Sequence, residues 1–134
     1  MAHSYVQFHG QHLDLKDFDI ELAAYLMMDQ RKTIGPSALI PAEVDQLFDW
    51  WKRSIRTSGN GCIQLKLDEY LSSPPSVRAI LGLIDGAIFH LQKLGDVVSA
   101  DYQNQVLGAN LVYGERKSAD IIAVLEKIKA VLAG

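Results

Sequence analysis

The chain has little of what usually marks a function. It holds one cysteine, Cys62, in 134 residues. A single thiol closes no internal bridge, which excludes a disulfide-stapled secreted domain. No His, Lys or Arg lies within three residues of Cys62, so it reads as a small buried hydrophobe rather than an activated nucleophile. Basic charge is short as well. Thirteen Lys and Arg stand against 16 Asp and Glu, for a net charge of −3, which leaves no basic footprint for nucleic acid. No apolar run reaches the ~18 residues of a membrane span. A basic-then-apolar signal segment and a lipidation box are both missing, so the expectation is a cytoplasmic protein with no membrane partner. Catalytic and cofactor motifs are absent too: no Ser-His-Asp order, no CxxC pair, no dinucleotide fingerprint. Gly59-Asn60-Gly61 lacks the strand–loop–helix context and the Gly-Lys-Ser of a phosphate loop. Asp17-Phe18-Asp19 lacks the glycine and terminal glutamate of a calcium loop. These gaps lead us to expect no catalytic residue, no metal and no cofactor.

What is present is apolar and helical. Hydrophobic residues make up 49% and charged residues 22% of the chain, ordinary values for a globular fold. Leu15, Phe18, Leu22 and Leu26 recur at spacings of three and four, predicting a helix to about Arg31 with Asp14 or Asp17 as its cap. Thr33-Ile34-Gly35-Pro36-Ser37 breaks it. A second helix is expected from Pro41, with Val44, Leu47, Phe48, Trp51 and Ile55 on its inner stripe. Its acids lie early and its bases late, as the helix dipole favours. Cys62 to Leu67 alternates apolar and polar, as does Val6 to Phe8. The two segments, around residues 4–8 and 62–67, are candidates for a short β ribbon. A helical turn follows at Asp68–Leu71.

From Val77 to Leu94 runs the most apolar helix, expected to be central. Its Gly82 and Gly86 suggest close approach of a neighbour. Ser99 is placed to cap a helix from Ala100 to about Leu107, and Ser118 to cap the last one. Residues 108–115 have no assignable pattern. The chain shows no repeat and no linker. The expected fold is therefore mainly α: one domain over residues 1–134, a bundle of about five helices with a possible short ribbon.

The candidate functional residues are acids and one tryptophan. Residues 1–49 hold eight acids and three bases, a local charge of −5, whereas residues 50–66 hold four bases and no acid. Asp14, Asp17, Asp19, Glu21, Asp45 and Asp49 are candidates for an acidic surface facing a basic protein partner. Trp50 joins them. Adjacent helical residues point about 100° apart, so Trp51 takes the core and Trp50 a partly exposed shoulder beside arginine, where binding hot spots are enriched. His3, His9 and His12 are expected to be solvated and His90 to sit in or beside the core.

Gly59-Asn60-Gly61-Cys62-Ile63-Gln64-Leu65-Lys66-Leu67-Asp68-Glu69-Tyr70-Leu71, leading into the apolar helix from Val77, resembles the middle of small helical immunity proteins. These accompany bacterial contact-dependent growth-inhibition and related polymorphic toxins. The resemblance implies a cytoplasmic, non-enzymatic protein that binds a cognate toxin domain and blocks it, with no catalytic residues to carry over. Two other readings stay open: a small helical enzyme or ligand-binding protein using His90 or His12, and a homodimeric helical adaptor. The adaptor reading rests on the wide apolar face of the last helix, since surplus apolar area can seal a dimer; monomer and homodimer both remain possible.

Overall fold

Helical periodicity along the chain becomes six α-helices and two small sheets in the computed structural model, which describes residues 2–36 and 38–134. In chain order these are β1 (His3–Phe8), β2 (Gln11–Lys16), α1 (Asp17–Ile34), α2 (Ala42–Ser54), a 3-10 turn (Ile55–Thr57) and α3 (Leu67–Tyr70). Then follow α4 (Pro74–Leu94), β3 (Val97–Val98), α5 (Ala100–Leu107), β4 (Arg116–Lys117) and α6 (Ser118–Ala133). Ser37, the last residue of the expected break after the first helix, lies outside the described residues, as does Met1. The mainly α class expected from the sequence is therefore observed, with a two-stranded antiparallel ribbon.

That ribbon pairs differently from the sequence expectation. Residues 3–8 pair with 11–16, from His3↔Lys16 to Phe8↔Gln11, around His9-Gly10. Both turn residues have positive φ, 49° and 80°, which suits the tight turn that matches strand twist. Leu15 therefore lies on a strand and α1 begins at Asp17. The Leu15–Phe18 spacing of three fits a helix, but Leu13 and Leu15 also alternate, and the hairpin register wins. The expected cap fails for the same reason. Lys16 flanks the helix without a side-chain cap. The Asp17 carboxylate instead accepts from Ser4 Oγ at 2.6 Å and Gly61 N at 2.8 Å. The hairpin packs on α1 and α6, which is what a two-stranded ribbon needs to be stable.

Residues 62–66 form no strand, but burial alternates along them as expected, with Ile63 and Leu65 buried; Lys66 is left-handed, and Leu67, also buried, opens α3. The segment forms no ladder with β1 because side chains hold its backbone. Trp50 Nε1 donates to Gln64 O at 3.2 Å and Trp51 Nε1 to Leu65 O at 2.9 Å. Ile63 N donates to Ser4 Oγ at 3.1 Å. The same alternation corrects the reading of Cys62: with Ile63 facing inward, Cys62 faces out and is exposed.

One core joins the hairpin, α1 to α6 and the extended segment. α4 packs against α1, α2 and α6, so the expected central helix is central. It nevertheless presents Phe89 to solvent, with Lys93 Nζ 4.4 Å above the ring. Gly86 meets Gln30 of α1, where an added Cβ would lie 3.0 Å from Nε2; Gly82 faces open space and has no such role. The start of α4 is tied to α2. Ser73 caps it by accepting from Ser76 N, and Pro74-Pro75 suits its first turn. The Glu43 carboxylate accepts from Ser73 Oγ at 2.7 Å, Ser72 Oγ at 3.0 Å and Ser76 Oγ. These bonds, Ser76 first and then Ser73 and Ser72, hold Glu43 below the ordinary glutamate range.

Ser99 caps α5 as expected, accepting from Tyr102 N at 3.1 Å. Ser118 does not cap α6. It is the first residue of that helix, its Oγ donates to Gly95 O at 2.5 Å and its N to Asp96 O at 2.9 Å, fastening α6 to the end of α4. The apolar breadth of α6 is used within the chain: Ile121, Val124, Leu125, Ile128, Val131 and Leu132 are all buried.

Candidate functional site

The seven residues singled out by the sequence do not share one face. Asp14 lies on β2 with its carboxylate 2.9 Å from His3 Nδ1. Asp17, Asp19 and Glu21 occupy the first turns of α1; Asp45, Asp49 and Trp50 lie on α2. Most of the acids are consumed internally. Asp19 pairs with Arg116 at 3.0 Å and Glu21 with Arg56 at 2.6 Å, and both carboxylate side chains are only 14% exposed. The Arg56 guanidinium also donates to Leu107 O and stands 4.5 Å over the Tyr25 ring. Asp45 accepts from Arg31 at 2.9 and 3.3 Å, and this bond keeps Arg31 above its ordinary value. Asp17 is spent on Ser4 and Gly61, as described above. Of the six acids Asp49 alone has no ion pair or side-chain hydrogen bond among the described residues.

The physical reason is desolvation. A carboxylate brought near the core stays charged only with a partner. The basic run after residue 50 supplies one of those partners, Arg56. The segregation of −5 and +4 along the sequence is therefore partly cancelled in space. Trp50 is half-buried, as its shoulder position predicts, and is clamped from two sides. Its Nε1 is bonded to Gln64, and Lys66 Nζ lies 3.9 Å above its ring.

The histidines are exposed and dispersed. His9 stacks on Phe8 with ring centroids 3.8 Å apart, and His12 meets Tyr5 edge-on at 5.6 Å. His90, expected in or beside the core, is exposed and lies tilted against Tyr102 at 5.7 Å. Tyr102 itself sits partly buried, which pushes its hydroxyl above the ordinary value, with the negative charge of Asp29 adding to the effect. Among the described residues no group of three or more His, Cys, Asp or Glu is arranged to hold a metal ion, and no helix is long and apolar enough to cross a membrane.

Two surface features were not foreseen. The first is a cleft of about 350 Å³ beside β1, lined by Tyr5, Gln7 and residues 64–69. One end is pinned by the Ser4–Ile63 bond and the other by His9 N donating to Asp68 Oδ1 at 2.9 Å. Lys66, one of its lining residues, holds a left-handed backbone with φ 54°, uncommon for a residue with a side chain.

The second is the loop from Gly108 to Glu115. Leu111 and Tyr113 project from it at 46% and 94% exposure, while Val112 packs against the core. Residues 94–115 include Asp96, Asp101 and Glu115 but no Lys, Arg or His. None of those three acids enters an ion pair among the described residues, and all three are exposed. The gap in basic residues was visible in the sequence. The outward aim of Leu111 and Tyr113 was not, because an irregular loop has no period from which to read a face.

In comparisons with known proteins, no family model, no curated protein and no solved structure matches the chain.

Proposed function

We propose that the chain is a non-enzymatic protein-binding module, an immunity protein that binds and neutralises a basic toxin domain in the bacterial cytoplasm. The observation that carries this reading is the base-free stretch 94–115. It combines unpaired exposed acids with two large apolar side chains held out to solvent. Opposite charge speeds encounter with a basic partner, and a few buried anchors then hold the complex. The resemblance of residues 59–71 to helical immunity proteins points the same way. Relative to the sequence expectation, the docking surface moves. Asp17, Asp19, Glu21 and Asp45 support the fold, and the acids of the α5 region take the partner-facing role.

The test is co-expression with the C-terminal domain of the protein encoded by the reading frame immediately upstream. The expected result is rescue of growth and a complex that survives size-exclusion chromatography and weakens as salt is raised. Neither rescue nor complex would reject the reading.

A second reading, a small-ligand site, is favoured by the cleft at Tyr5, Lys66 and Asp68. Its volume reaches the low end of ligand pockets, roughly 300–1,000 Å³, and Lys66 carries backbone strain of the kind that clusters at functional sites. Thermal-shift screening against metabolite-sized compounds decides it: a ligand-induced rise in Tm abolished by Lys66→Ala supports it, and a flat screen removes it.

A further inference from the structure

We infer that the cleft beside β1 takes an extended stretch of about three residues of another polypeptide, held by main-chain hydrogen bonds to Tyr5 and Gln7. This rests on the second reading above, that the cleft is a binding site, and names the class of its occupant.

The hairpin fixes which way β1 points its backbone. Opposed residues of an antiparallel pair alternate between those that exchange N–H···O=C bonds and those that do not. Asp17 N donates to Ala2 O at 3.0 Å, and the register runs on from His3↔Lys16 to Phe8↔Gln11. Ala2, Ser4, Val6 and Phe8 therefore spend their backbone groups on the β2 side. Those of Tyr5 and Gln7 point the other way, toward the cleft that both residues line. His9 N is already taken by Asp68. The N–H and C=O groups of Tyr5 and Gln7 have no hydrogen-bond partner among the described residues.

The facing wall cannot close onto them. Its two ties to β1, Ile63 to Ser4 and Asp68 to His9, both span 59 positions, so residues 63–68 run parallel to residues 4–9. The chain is laid alongside β1 as a third strand would be, without pairing. The carbonyls it would offer are spent: Gln64 O on Trp50 Nε1, Leu65 O on Trp51 Nε1, and Lys66 O on Glu69 N and Tyr70 N. What remains is a slot of about 350 Å³. Its β1 side offers N–H and C=O groups at the two-residue repeat of a strand. An extended backbone presents the matching groups at the same repeat, and a bare strand edge is a template for it. Edges that must stay bare usually carry proline or charge, and His3–Phe8 holds no Pro, Lys, Arg, Asp or Glu. The ties at both ends limit the paired stretch to about three residues at strand rise. Charge does not select the occupant. Of the charged lining residues, Lys66 and Glu69 stand 3.6 Å apart, and Asp68 is bonded to His9 N.

The experiment selects linear heptapeptides from a random phage-displayed library on the immobilised full chain and resynthesises the enriched sequences. We expect bound peptide to slow hydrogen exchange at the Tyr5 and Gln7 amides. Exchange at Ser4, Val6 and Phe8, already bonded to β2, should stay unchanged. Backbone N-methylation of the peptide at either residue whose N–H faces β1 should weaken Kd roughly tenfold, as for an acceptor deprived of its donor. Methylation of the residue between them, whose N–H points away, should change Kd by less than about twofold. Tyr5→Pro removes one outward N–H and no bond of the β1–β2 ladder, a change that a strand edge tolerates. It should weaken binding by a similar factor, with circular dichroism checking the fold. Should that variant fail to fold, the methylation scan decides alone. Peptides that protect neither amide, a scan without alternation, or a library that yields no binder each overturn main-chain recognition. The metabolite screen described above decides separately whether the cleft takes a small ligand, so failure here leaves that reading standing.

Discussion

Two acidic regions of this chain look alike in sequence and differ in the fold. In the first, α1 and α2, the carboxylates of Asp19, Glu21 and Asp45 each meet an arginine, and Asp17 meets a hydroxyl and a backbone amide. In the second, the α5 region, Asp96, Asp101 and Glu115 form no ion pair among the described residues. The first region is the more acidic by count, yet Asp17, Asp19, Glu21 and Asp45 work as tethers, and of its candidate acids Asp49 alone is left exposed without a partner among the described residues. The second carries fewer acids but leaves them to act on solvent. A local charge total predicts a surface field only where the fold brings no base against it.

Mutations can break or sharpen this contrast. The largest expected effect on stability is Arg56→Ala. It strands a mostly buried Glu21 and releases Leu107 O and the Tyr25 ring together. We expect a loss of about 2–3 kcal/mol by urea unfolding, below the range for fully buried pairs because Arg56 is one-third exposed. A loss near zero would place Glu21 with the surface acids after all. Asn104→Ala comes next, at about 1–2 kcal/mol, from three hydrogen bonds that water can partly replace. Asp19→Ala, which frees Arg116 to turn to solvent, should cost about 1 kcal/mol. Glu115→Lys, in the loop before β4 and away from any helix end, should change stability by less than about 0.5 kcal/mol. In stopped-flow mixing with the partner it should slow association and flatten the salt dependence. Equal effects of Asp19→Ala and Glu115→Lys on stability would erase the distinction between the two regions.

The last expected effect is on how stability changes with pH. Glu43 is held by hydroxyls rather than by a base, and its hydrogen bonds lower its folded value below the ordinary 4.5. Its contribution is complete above that ordinary value and is lost as pH falls through the lowered one. The acid limb of the stability–pH curve should therefore be shallower in Glu43→Gln than in the wild type. An unchanged limb would remove Glu43 as a pH-sensitive tether.

Much of the fold was legible because helix signals are local. The 3.6-residue stripes of α2, α4 and α6, Pro41 before α2 and Ser99 before α5 all mark elements that the structure contains, although α4 begins at Pro74, three residues before the expected Val77. Failures came where the decision lay between distant residues. The alternating burial of the 62–67 segment was readable, but the segment forms no strand, and its partners depended on which donors reach its carbonyls. Two consecutive indoles from α2 reach Gln64 and Leu65, so a segment with strand pattern never joins a ladder. The first hairpin was missed because Leu15 satisfies a helical spacing with Phe18 as well as a strand's alternation with Leu13. For the candidate site, Trp50's shoulder position was readable from its angle to Trp51. The pairing of Glu21 with Arg56, 35 positions away, was not.

By itself the sequence determined the helical class, the approximate extent of the longer helices, the core role of Trp51 and the absence of basic residues between Lys93 and Arg116. Those follow from composition and from periodicities a few residues long. Only the tertiary structure decided which acids are tethers and which face solvent, and which way Cys62, His90, Leu111 and Tyr113 point. Desolvation and hydrogen-bond satisfaction act on whatever groups the packed chain brings within about 3 Å of each other, and sequence distance does not encode that proximity.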